Sequence, residues 1–217
     1  MIQTNSIGMS GSIKHTFANP GPAGLMVLAF YLGCLWPVAT HQVPHELAVV
    51  LVPLGLAGGI VQLAAGIIEL RNGMAMTGNI LLAFSTFMFL GMGEHLMKVL
   101  SLMPADTAGV DGWVFLIMGI LMCGFTIGHL PGPLAPLIFM ITTDLFFVPA
   151  GLYFLTGMDI FWTIAGWDLP LVVLSIIWVV LGTILNPIFQ KTIIPLGPSL
   201  IKIPLDEQEQ DDMKFGV

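Results

Sequence analysis

ANPGPAGLMVLAFYLGCLWPVAT, residues 18–40, sets a polar Asn, two prolines and two glycines directly against one of the most apolar runs in the chain. From Pro22 to Thr40 there are 19 residues, with Pro37 interrupting the far end. As a helix that run is about 28 Å long, slightly under the thickness of a bilayer's hydrocarbon core. So short a helix either thins the bilayer or begins below the headgroups, where protein must surround it. Local explanations exist too: a proline at a helix start withholds an N–H that would have no intrahelical partner, and glycines permit tight helix packing.

The rest of the chain points to the same solvent. Hydrophobic residues make up 56% and charged residues 9% of the 217, and mean hydropathy is +0.95. Soluble domains carry about 25% charged residues. A chain this poor in charge cannot cover a water-facing surface, so most of it faces lipid as a single integral membrane domain. The net charge of −7 is concentrated in the tail LDEQEQDDMKFGV, where Asp206, Glu207, Glu209, Asp211 and Asp212 supply five of the thirteen acids. That tail lacks apolar periodicity and reads as a solvated segment. No basic patch suggests nucleic acid, and residues 1–18 lack the apolar core of a cleaved signal.

Six apolar runs are long enough, or nearly so, to cross a membrane: roughly 22–39, 47–70, 74–97, 112–130, 134–156 and 163–185. Short connectors with breakers or charge separate them: ATHQVPHE, LRNGM, SLMPADTAGVDG, GHLPGP and LTGMD. The reading is an all-α polytopic protein with residues 1–18 as an N-terminal segment, 19–197 as the membrane domain and 198–217 as an acidic tail. Six spans put both termini on one side, with Lys14, Arg71, Lys191, Lys202 and Lys214 there and only Lys98 opposite. That positive-inside bias predicts cytoplasmic termini. PGPLAPL (131–137) opens the fifth run much as PGPAGLM (20–26) opens the first, so two positive helix ends could flank one cytoplasmic vestibule.

Polar residues at membrane depth are the informative ones. Asp144 lies about ten residues into the fifth run, where an acid costs about 2.5–3.5 kcal/mol on insertion scales unless it meets protein or water. It is expected to point inward, as a proton-exchanging group, a gate on anions, or simply a partner for a neighbouring helix. Gln62 and Glu69 lie seven apart on a glycine-rich face of the second run; Glu69, next to Arg71, is expected to anchor the helix end or pair with a base, and Gln62 to donate to a carboxylate. Asn79, Phe84, Ser85, Thr86 and Phe87 mix hydroxyls and aromatics in mid-membrane, which suits a narrow, partly polar path. Glu94 and Lys98 make a favourable i,i+4 pair.

Other residues carry less. His41 and His45 are separated by Pro44 and supply too few ligands for a metal site, and His129 reads as a loop residue. Cys34 and Cys123 read as small buried hydrophobes. No phosphate-cradling loop, zinc motif or GxSxG turn is present, so neither an enzyme nor a cofactor is indicated.

ANPGPAGL (18–25) resembles the NPAPLGL-type signature of the acetate uptake transporter family, the succinate–acetate permease group. GGIVQLAAGIIELRNG (58–73) is similar to the family's second helix, with Gly58, Gly59, Gln62, Ala65, Gly66, Glu69 and Gly73 in matching places. AGWDLPLV (165–172) and ILNPIFQKTIIPLG (184–197) resemble its last helix and exit. The resemblance implies six helices, a homohexamer with a pathway through each protomer, and transport of acetate, related short monocarboxylates and in some members succinate, commonly proton-coupled. It places the narrowest point at Leu28, Phe84 and Thr143, with Leu145 beside them. Leu28 departs from the aromatic expected on the first helix, and Asp144 from the hydroxyl or apolar residue expected there.

The substrate path is then expected along Asn19, Pro20, Pro22, Gly24, Leu25, Gln62, Ser85, Thr86, Thr142 and Thr143, with Asp144 and Glu69 as proton-coupling candidates. Two rivals stay open: a passive channel for small neutral solutes such as ammonia, urea or undissociated acids, and a nontransporting membrane sensor or assembly subunit.

Overall fold

The computed structural model describes residues 17–202. Lys14, Lys214, the five tail acids and nearly all of the two terminal segments lie outside the described residues. Six helices are long and apolar enough to cross a membrane: α1 (Gly21–Ala39), α2 (Leu51–Arg71), α3 (Ala75–Val99), α4 (Ala108–Gly128), α5 (Leu134–Thr156) and α6 (Asp159–Phe189). A 3₁₀ turn, His45–Val50, leads into α2.

The expected runs match these elements closely, and the differences have local causes. α4 starts four residues early because the Thr107 carbonyl accepts the N–H groups of Val110 and Asp111. α6 is longer at both ends. Asp159, expected in a connector, opens it, where an acid complements the positive end of the helix. At the other end Asn186 and Pro187 are tolerated within the last turn before Gln190 turns left-handed.

The helices form a ring in chain order. α1 packs between α2 and α6, α2 against α3, and α5 against both α4 and α6, whereas α3 and α4 meet along a thinner seam. Two backbone-close contacts hold the halves. A Cβ on Gly66 would stand 3.0 Å from the Gly78 carbonyl oxygen, and one on Gly151 would stand 2.8 Å from the Leu116 amide nitrogen. Glycine is required there because lipid-immersed helices gain most from close van der Waals packing. Cys34 and Cys123, read as buried, are exposed on the outside of the bundle. Lipid is as hospitable as a core to a thiol, so apolar sequence context alone does not distinguish the two.

We call the side where α1 starts and α6 ends the near side, and the other the far side. Among the described residues Arg71, Lys191 and Lys202 lie on the near side and Lys98 on the far side. After α6 the chain straps back across the near end of α5. Asn186 is the buckle: its Oδ1 accepts the N–H groups of Ile193 (2.8 Å) and Ile194 (2.9 Å), and its Nδ2 donates to the Ile194 carbonyl (2.8 Å). Leu196 then accepts the Ala135 N–H at 2.8 Å. Replacing Asn186 with alanine should cost about 1–3 kcal/mol, the scale of three lost bonds. Hydrogen exchange should accelerate at residues 192–196 before anywhere else in the domain.

Candidate functional site: a far-side vestibule above an aromatic neck

The Pro-Gly-Pro starts are capping devices. Pro20 and Pro22 have no N–H to satisfy. The Gly21 N–H donates to Oδ1 of Asn19 at 2.8 Å, and the Ala23 and Gly24 N–H groups reach the Pro20 carbonyl at 3.0 and 3.3 Å. Every first-turn donor of α1 therefore has a partner or does not exist, and α1 can begin at a buried Gly21 without water. A Cβ there would stand 2.9 Å from Oε1 of Glu69, so an acid complements the helix dipole at this end. Glu69 is buried and makes no ion pair with Arg71. At α5 the Ala135 N–H is taken by Leu196 and Pro136 has none. The α1 end presents no free first-turn donor to an anion, and neither cavity opens between the two helix starts, unlike the expected near-side vestibule.

The large cavity is on the far side. It measures about 690 Å³ and is walled by Tyr31, Glu94, Lys98, Asp111, Phe115 and Trp162, among others. Lys98 lies 3.4 Å from Glu94 and 3.6 Å from Asp111, and it donates to Thr107, whose hydroxyl donates to Asp111 at 2.7 Å. The expected Glu94–Lys98 pair is thus part of a network that ties α3 to α4 across the thin seam.

Below the vestibule the space shrinks to a void of about 50 Å³ lined by Leu28, Tyr31, Phe84, Thr143, Phe147, Val172 and neighbours. Leu28, Phe84 and Thr143 come from three helices and share this void. Aromatic rings close it: Phe84 lies 6.0 Å from Phe147, and Phe87 lies 4.8 Å from Phe115 across the α3–α4 seam. Among the described residues no ionisable side chain except the Tyr31 phenol lines the neck. The Thr143 hydroxyl donates back to the Phe139 carbonyl at 2.8 Å, so its proton is already committed.

Several expected path residues are placed elsewhere. Thr86 is exposed on the outside of α3 and bonded to its own Leu82 carbonyl. Leu145 is 47% exposed, on the outer surface of α5 rather than at the constriction. Asp144 faces α4: its Oδ2 accepts the Thr126 hydroxyl at 2.7 Å, and it lines neither cavity. The outward turn follows from helix geometry, since Thr143 one residue earlier faces the neck and the next residue is rotated by about 100°.

Asn19 is exposed, and Pro20, Pro22, Gly24 and Leu25 lie at the near end, away from both cavities. Gln62 is fully buried. Its Nε2 donates to the Gly24 carbonyl at 3.2 Å, while its Oε1 has no partner. Ser85 ties α3 to α2 through the Gly59 carbonyl at 2.8 Å, and Thr142 bonds within α5 and lies 3.4 Å from Ser175 of α6. These residues join helices around the path.

Sequence reasoning passed over Tyr31, Phe115, Phe147 and Asp168. Two of them could have been found: Tyr31 follows Leu28 by three residues and Phe147 follows Thr143 by four, so each shares its partner's helix face. Phe115 could not, because nothing in α4 alone marks which face meets the neck.

No family model and no curated protein matches the sequence. A solved structure described as "Structure of the bacterial acetate channel SatP" matches with a TM-score of 0.78 at 24% identity, covering 83% of this chain and 99% of that chain. The agreement extends over almost all of that chain. This protein has the six-helix membrane fold of that solved bacterial channel.

Proposed function

We propose that this chain passes acetate and related short monocarboxylates, with succinate at the upper end, through the path inside its helix ring. The observation that carries the reading is the wide vestibule narrowing to an aromatic neck within a single chain. The fold shared with a solved acetate channel and the signature motifs support the substrate class. A carboxylate ion crossing that neck would meet no charged partner, and bare ions are costly in such surroundings. The substrate therefore crosses as the neutral acid, or together with a proton.

The remaining parts of the reading are a homohexamer in the plasma membrane with both termini cytoplasmic. They rest on the family resemblance and on the bias of Arg71, Lys191 and Lys202 toward one side.

The uncharged lining also favours a second reading, a passive channel for small neutral solutes. Proteoliposomes loaded with the full-length protein separate the two. Uphill accumulation of labelled acetate under an imposed pH gradient is expected for coupled transport. Strictly downhill flux supports a channel, and no acetate passage at all rejects the carboxylate reading.

A further inference from the structure

We propose that Asp168 is a buried proton-binding site one helix turn from the neck lining, which takes up and gives back a proton as solute passes the neck. The proposal rests on the transport reading only for the path it serves.

Asp168 is 6% exposed, and neither carboxyl oxygen has a hydrogen-bond partner among the described residues. It makes no ion pair, and the described cations Arg71, Lys98, Lys191 and Lys202 all lie at or beyond helix ends. Buried polar groups are nearly always satisfied, and exceptions mark an unseen water, a ligand or a working site. A carboxyl so placed either holds a proton or is met by water.

Asp168 lines neither cavity itself, but its helix face continues to the neck. One turn further along α6, Val172 lines the neck, and seven residues along, Ser175 meets Thr142 of α5. Residues spaced four and seven apart share a helix face. The neck void of about 50 Å³ has room for a water beside Val172.

The helix next to it is locally short of donors. Thr142 lies opposite Ser175, and Tyr153 stacks on Trp162 with centroids 5.2 Å apart. The antiparallel register between those pairs puts Pro149 of α5 level with Asp168, two residues before Pro170 of α6. Each proline removes an N–H, freeing the carbonyls of Leu145 and Gly166 four residues earlier.

The ionisable groups on the helices packed against α6 offer no base. α5 has Asp144, held by Thr126 of α4, and Tyr153, packed on Trp162; α1 has Tyr31 and Cys34; α6 itself has Asp159 at its start. The proton comes from hydronium in the vestibule, which becomes water as the carboxyl O–H bond forms, and the reverse transfer delivers it to water on release.

The test uses full-length protein in liposomes with two readouts. pH-difference infrared spectroscopy follows carboxylic acid C=O bands without any substrate, and labelled acetate uptake is measured across the same pH range. Asp168→Asn should remove one pH-dependent carboxyl band and flatten the pH profile of uptake. Asp168→Glu should restore both at a displaced position, and Asp144→Asn should leave the Asp168 band in place. Should Asp168→Asn fail to fold, Asp168→Ser takes its place. If the wild type passes no acetate but the Asp168 band titrates, the carboxylate reading falls and the proton site stands. If the band and the pH profile persist without the Asp168 carboxyl, the proton site falls.

Discussion

Replacing Phe84 with alanine is expected to speed acetate passage and to erase much of its preference over longer monocarboxylates. Phe84 is 2% exposed and shares the neck with Leu28 and Thr143, and its ring is braced by Phe139 at 6.5 Å and Phe147 at 6.0 Å. Removing the ring adds most of a side chain's volume to a void of only about 50 Å³. If steric closure contributes about 1.4 kcal/mol to the barrier, the rate gain is roughly tenfold. The same change costs stability on the order of 3–5 kcal/mol, as deleting a buried phenyl ring does. Phe84→Leu is the milder companion that keeps part of the seal. Uptake of labelled acetate and butyrate into proteoliposomes measures the ratio directly. An unchanged ratio in folded Phe84→Ala would place selectivity elsewhere.

Gly151→Ala is expected to be the most damaging single methyl in the bundle. The new Cβ would meet the Leu116 amide nitrogen at 2.8 Å, the Gly112 carbonyl oxygen at 3.0 Å and the Leu116 Cα at 3.0 Å. All three are backbone atoms of α4, so no rotamer change relieves the clash and the whole helix must back away. Overpacking of this kind costs about 1–3 kcal/mol or more, and in a chain of this size each kcal/mol lowers Tm by about 2–4 °C. Gly124→Ala on the same helix pair is the control, since a Cβ there meets nothing within 4 Å. Thermal melts in detergent should separate the two variants clearly. Equal melts would mean that α4 and α5 lie further apart than described.

The helices could be read from the sequence because hydropathy over about 20 residues is a strong signal and breakers sit between the runs. α5 coincides with its expected run at both ends. Which face of each helix meets the path could not be read so well. Along α3, Phe84 faces the neck, Ser85 faces α2 and Thr86 faces outward. Three neighbours of similar mid-membrane promise thus have three different roles, and in lipid the outward face is as apolar as the core.

The opening motif was hard for another reason. A Pro-Gly-Pro helix start looks like an anion mouth when only the dipole is considered. With the bonds of Asn19 and Pro20 in view, it is a helix end with no donors left to offer. Asp168 sits in plain sight in AGWDLPLV, yet its significance depends on what does not touch it, and no sequence pattern reports that.

The central claim, a conduction path within one chain's ring that narrows at Leu28, Phe84 and Thr143, is tested most directly by a thiol at the neck. Cys34 and Cys123 are exposed on the outer surface and can be replaced by serine and alanine without touching the path. In that background, Thr143→Cys should react with a small water-soluble thiol reagent, acetate in excess should slow the reaction, and labelled acetate uptake should fall in proportion to labelling. A Thr143→Cys protein that takes up acetate but never labels, or that labels fully with uptake unchanged, would contradict the account.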